Sequence, residues 1–162
     1  MNKMSLRVVP RALLAVVVLM LAAQIAASGQ GKSKKLEGTW LVQGTVLNCQ
    51  TGMPLTPPIN FSGLNTFIAG GAMFANPASN PARASTGHGA WEHEGGRRFS
   101  NTILSFIFNA DGSFAGTQKV TRDIELDSSN PDLFTSTNSV EITDPAGSVT
   151  TRCSAETGRR LE

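Results

Sequence analysis

Arg98–Leu126, RFSNTILSFIFNADGSFAGTQKVTRDIEL, decides the fold. Along its first half, Thr102, Leu104, Phe106 and Phe108 fall on one face of an extended chain, and Ile103, Ser105 and Ile107 fall on the other. Asp111-Gly112 then supplies a hairpin turn, because glycine takes the positive φ that such turns demand. Ser113–Leu126 stays extended, with Thr117, Val120, Thr121 and Ile124 favouring a pleated strand. Two long strands joined by so short a turn run antiparallel.

The same grammar extends in both directions. Leu36–Cys49 alternates, with Trp40, Val42, Gly44 and Val46 on one face. Phe61–Ile68 and Ala72–Phe74 are extended on either side of Gly70-Gly71, and Ala90–Glu94 ends at Gly95-Gly96. Leu133–Thr143 and Ser148–Thr157 follow the turns Asp127–Asp132 and Asp144–Gly147, where Pro145 presets φ for its turn. Gln50–Asn60 is a loop rich in Pro and Gly. Ala75–Gly89, with two Asn-Pro pairs, is a loop long enough to form a mouth or a lid. No stretch after residue 35 repeats apolar residues at helical spacing. The reading is all-β: a single antiparallel up-and-down barrel of about eight strands over residues 36–162. A sandwich of the same hairpins is the alternative, but closure removes exposed sheet edges and sets first and last strands side by side.

Residues 1–28 read as a signal peptide. Lys3, Arg7 and Arg11 precede the apolar run Ala12–Ala27, and small residues follow at Ala26, Ala27, Ser28 and Gly29. The run is shorter than the roughly 20 residues of a spanning helix. Residues 29–35 form a flexible polar tail. The expected location is secreted or periplasmic, with no membrane association after cleavage. Cys49 and Cys153, the two cysteines of the chain, are expected to pair there as a disulfide closing a loop of about 100 residues. Without residues 1–28 the 14 basic residues fall to 11, against 12 acidic, and no basic stripe remains for a nucleic acid. The cluster Lys32, Lys34 and Lys35 reads as solvated tail.

Gly38-Thr39-Trp40 resembles the Gly-x-Trp signature at the first strand of lipocalins and other calycins. The resemblance implies a calycin-like barrel in which an arginine near the end of the barrel packs over Trp40. Arg152 is the residue assigned to that role, as a cation–π pair. The Thr-Asp-Tyr loop of lipocalins is absent, and the chain contains no tyrosine. The mature chain also resembles an uncharacterised family of secreted bacterial barrels, in which Gly-His-Gly-x-Trp (Gly87 to Trp91) recurs. Dirigent and allene-oxide-cyclase barrels are a looser likeness. These resemblances imply fold rather than activity.

Trp40, Val42, Phe67, Trp91, Leu104, Phe106 and Phe108 form the expected inward apolar set, either as packed core or as the lining of a ligand cavity. His88, Glu92 and Arg98 are the rim candidates. His88 and His93 lie five positions apart, on opposite faces of a strand, so no metal site is expected, nor any cofactor. No catalytic triad spacing or phosphate-loop pattern is present. The leading expectation is a secreted barrel binding a small hydrophobic molecule. The alternatives are a cyclase- or isomerase-type enzyme using His88, Glu92 or Arg98, and a filled barrel that meets a protein partner through Ala75–Gly89.

Overall fold

The computed structural model describes residues 36–161. The signal-peptide and tail expectations for residues 1–35 lie outside the described residues. Eight strands follow one another: β1 (Gly38–Leu47), β2 (Asn60–Phe67), β3 (Ala72–Pro77), β4 (Gly87–Gly95), β5 (Arg98–Phe108), β6 (Phe114–Leu126), β7 (Leu133–Thr143) and β8 (Val149–Arg160). Each pairs antiparallel with its neighbour in sequence, and β8 returns to pair with β1, closing an up-and-down barrel. The seam runs in continuous register from Trp40↔Arg160 to Leu47↔Cys153.

Short-range chemistry sets the hairpins. Asp111 accepts hydrogen bonds from the Ser113 amide (2.9 Å) and hydroxyl (2.7 Å), while Gly112 takes a φ of 83°. Asp127 does the same for Ser129 and for the Asn130 amide. These donors, the serine side chains foremost, hold both carboxyls below the ordinary aspartate value.

Three boundaries lie three residues from the sequence reading, and the others within two. β3 runs through Asn76 to Pro77, and β4 begins at Gly87, so the loop between them shrinks to 78–86. Proline at the last position of a strand costs no interior ladder bond. Gly89 lets β4 lie close against β5, since a Cβ there would fall 1.9 Å from the Thr102 carbonyl oxygen. The expected lid is also anchored: the Ser85 amide bonds the Phe106 carbonyl (2.9 Å), and the Phe108 amide bonds the Arg83 carbonyl (3.0 Å). β8 continues to Arg160 rather than stopping at Thr157.

The two ends of the barrel differ. The turns at 68–71, 95–97 and 127–132, with both termini of the described chain, gather at one end. Beneath them Leu36, Trp40, Phe67, Trp91, Phe99, Leu126 and Phe134 are buried as a continuous plug. Trp40 and Phe134 pack at 4.9 Å, and the Trp40 indole N–H donates to the Leu36 carbonyl at 2.9 Å. Burying each of these large side chains stabilises the fold by about 1.5–3 kcal/mol.

The arginine over Trp40 is Arg160, 4.2 Å from the ring centroid, and not Arg152. Arg160 also donates to Asp132 (2.7 Å) and to the Glu37 carbonyl. Antiparallel pairing explains the correction: the start of β1 meets the end of β8, which is where Arg160 lies, whereas Arg152 stands across from Val140 near the other end. At that other end the disulfide Cys49–Cys153 is present, with a Cα–Cα distance of 5.2 Å.

Replacing both cysteines (Cys49→Ser with Cys153→Ser) is expected to lower stability by about 2–5 kcal/mol, read from the urea midpoint of the purified protein. Arg160→Ala is expected to cost about 1–3 kcal/mol in the same measurement, and Arg152→Ala less than about 0.5 kcal/mol.

Candidate functional site

β6, β7 and β8 each break the apolar interior midway along the barrel. On β6 the inward phase reads Val120, Arg122, Ile124, Leu126; on β7 it reads Phe134, Ser136, Asn138; on β8 it reads Ser154, Glu156, Gly158. Register places Arg122 beside Asn138, and Ser136 beside Glu156. The polar residues therefore meet inside rather than facing water.

Arg122 and Glu156 form a buried ion pair. Nε lies 3.1 Å from Oε2 and Nη2 lies 3.5 Å from Oε1, with side chains 7% and 2% exposed. The Ser136 hydroxyl sits 3.0 Å from Asn138 Oδ1 and 3.5 Å from Glu156 Oε2, so its one proton serves one of the two. Asn138 Nδ2 donates to Ser154 Oγ at 3.0 Å. Across the barrel Asn65 and Asn101 are also buried, and Asn101 Nδ2 contacts the Met73 sulfur. Among the described residues, Arg122 Nη1, Asn65 Nδ2 and Asn101 Oδ1 have no hydrogen-bond partner.

Above this polar layer, toward the end bearing the disulfide, lies a cavity of about 250 Å³. Val42, Phe61, Ile103, Val120, Val140 and Ile142 supply its apolar walls, and Asn65, Arg122, Ser154 and Glu156 its polar lining. At ~30 Å³ each, the space corresponds to about eight water molecules. It is small beside the roughly 300–1,000 Å³ of common ligand sites. Its charged lining residues are the buried Arg122 and Glu156, which balance each other, and Arg152, which is solvent-exposed.

The residues singled out from the sequence separate into three groups. Val42 lines the cavity, whereas Trp40, Phe67 and Trp91 belong to the buried plug beneath it. Leu104 and Phe106 point outward, 47% and 52% exposed, and Phe108 is half-buried past a register shift at the end of β5. The inward phase of β5 is Phe99, Asn101 and Ile103, so the expected face was reversed by one residue. Both phases of that strand carry large apolar residues, and only the neighbours select one.

His88 and Glu92 are exposed on the outer face of β4, with His88 edge-on to Phe74 at 5.0 Å, and Arg98 is exposed on β5. They do not line the cavity. The pocket-mouth cluster expected of a barrel enzyme is therefore not formed by these three residues. Among the described residues, no group of three or more His, Cys, Asp or Glu side chains is arranged to hold a metal.

Sequence reasoning missed Arg122, Glu156, Asn65, Asn101, Ser136, Asn138 and Ser154. One signal was present: Arg122 stands in the apolar phase of β6, between Val120 and Ile124. A charge in that phase is a buried charge, which requires a partner.

No protein-family model matches the chain, and no curated protein matches it in sequence. Among solved structures, the chain is similar to the crystal structure of Rv2717c from M. tuberculosis, with a TM-score of 0.44 and 10% identity. The match covers 79% of this chain and 94% of that one. At that level it says nothing of ligand or activity.

Breaking the ion pair from one side strands the other charge. Arg122→Met alone is expected to lose about 3–5 kcal/mol of stability in urea titration. The double variant Arg122→Met with Glu156→Met is expected to recover most of that loss, because no buried charge is then left unpaired.

Proposed function

We propose that this barrel is a binding protein acting outside the cytoplasm, and that it holds one small molecule with an apolar body in its interior. The carrying observation is the cavity of about 250 Å³ between apolar walls, floored by polar side chains and sealed below by the aromatic plug. A filled eight-stranded barrel has no need of such a space, and one that carries a ligand does. The disulfide supports an oxidising, extracytoplasmic compartment, since cytosolic thiols stay reduced.

Binding is favoured over catalysis by how the polar groups are engaged. Glu156 accepts from Arg122 through both oxygens, which suits a fixed structural charge better than a base waiting for a proton. The earlier candidates for acid–base work, His88 and Glu92, face solvent.

The test is native mass spectrometry of protein isolated from the cell exterior, followed by calorimetric titration with small apolar probes. A retained species or a saturable heat is expected. Val120→Phe, which places a ring in the cavity, is expected to weaken binding at least about tenfold while costing about 1–3 kcal/mol of stability. Unchanged binding in a folded Val120→Phe variant would place the ligand elsewhere.

A further inference from the structure

We infer that the disulfide end of the barrel seats on a phospholipid surface, with the mouth of the cavity facing the lipid. The inference goes beyond the binding reading, and its test needs no guest in the cavity.

The large apolar side chains left most exposed among the described residues are Met53, Val149, Ile59, Phe106 and Phe114, at 49–64%. All of them stand at the disulfide end. Met53 and Ile59 lie in the loop between β1 and β2, Phe114 and Val149 open β6 and β8, and Phe106 is near the end of β5. Register carries Phe106 through Thr117 and Thr143 to Val149, so the two share one level of the sheet. Phe106 and Phe114 pack against each other at 6.2 Å, outside the barrel. Leu104 continues this apolar surface along the outer face of β5. At the plugged end the corresponding residues, Ile68, Leu133 and Leu161, are only 38–40% exposed.

Charge divides the molecule the same way. Residues 48–59 contain no charged side chain, and residues 78–86, 109–113 and 144–148 contribute one each, Arg83, Asp111 and Asp144. Asp111 and Asp144 spend their carboxyls on amides of their own turns. The plugged end instead carries the ion pairs Arg97–Glu125 and Arg160–Asp132. The barrel is thus amphipathic along its axis, and exposed apolar surface gathered in this way marks a contact site.

Shape and charge name the occupant. The rim consists of four separate loops around an opening. A fluid lipid interface adapts to so uneven a rim, whereas a protein partner must complement it in shape. Arg83 and Arg152, both exposed and the latter at the cavity mouth, suit lipid phosphates, which arginine binds bidentately. The expectation of no membrane association rests on spanning segments, whereas this rim is assembled only when the barrel closes.

Flotation of the purified protein with phosphatidylcholine vesicles tests this, beside sedimentation velocity without lipid. The protein is expected to float with the vesicles, and to lose less than about twofold in partitioning between about 0.1 M and 0.5 M NaCl, because apolar insertion is not screened. Met53→Ser with Ile59→Ser, and separately Phe106→Ser with Phe114→Ser, are each expected to weaken partitioning about tenfold. Ile68→Ser with Leu133→Ser, at the plugged end, is expected to leave it within about twofold. Circular dichroism establishes that each variant is folded. Failure of the folded protein to float, flotation abolished by salt, or equal losses from substitutions at the two ends overturns the inference. Self-association without flotation, abolished by the rim variants, assigns the face to a second copy and also overturns it. Guest binding by protein that does not float leaves the cavity reading standing.

Discussion

Every other feature of the molecule depends on the pairing of β1 with β8. Until that seam closes, the chain is a meander of hairpins with two open edges and no interior. Once it closes, each strand has a defined inside, and every second residue is committed to it. The seam is fastened by side chains at both ends. At the plugged end Arg160 lies over Trp40, and at the other the disulfide joins Cys153 to Cys49, just past the end of β1. The residues joined are among the most distant in the domain, 104 positions apart for the cysteines. Such contacts carry the largest loop-closure cost, so side-chain fastening has its greatest effect there.

Stability and recognition occupy different levels of the same interior. The aromatic plug around Trp40, Phe67, Trp91 and Phe134 has its indole nitrogens matched to backbone carbonyls, and it contains no charge. The level above it is the opposite, with an ion pair, three buried amides and unmatched donors. Replacing such a group by apolar residues of similar volume is commonly neutral or favourable. Its presence is therefore poorly explained by folding alone. The plug supplies enough apolar burial to tolerate the polar layer, and the polar layer gives the cavity a chemical identity.

What could be read from the sequence was local. The turns at Gly70-Gly71, Gly95-Gly96, Asp111-Gly112 and Asp144–Gly147 announce themselves through residues that tolerate or prefer turn geometry, and they fix an antiparallel chain. Pairing of Cys49 with Cys153 followed from there being two cysteines. The phase of β5 was not legible, because Leu104 and Phe106 on one face compete with Phe99 and Ile103 on the other, and the choice is made by β4 and β6. Assigning Arg152 to Trp40 failed for a topological reason that the sequence could have supplied. In a closed antiparallel seam, a residue at the start of the first strand must face the end of the last. The polar layer was hidden because Asn65, Ser136, Asn138 and Glu156 are residue types that ordinarily face water, and their burial is a property of closure.

The division between wall and floor also determines where discrimination can arise on the proposed reading. Apolar walls distinguish guests weakly, since one methylene is worth about 1–3 kcal/mol and a flat hydrophobic surface accepts many shapes. Polar lining discriminates more sharply, because a guest that leaves the desolvated groups of Asn65, Ser154 or the Arg122–Glu156 pair without partners forfeits their hydrogen bonds. Selectivity then comes less from attraction to the right guest than from the penalty imposed on the wrong one. Such a penalty needs polar groups that cannot turn away. The ion pair holds Arg122 and Glu156 to each other, and close packing buries Asn65. The ion pair is thus better understood as a fixed part of the polar floor than as a source of stability in its own right.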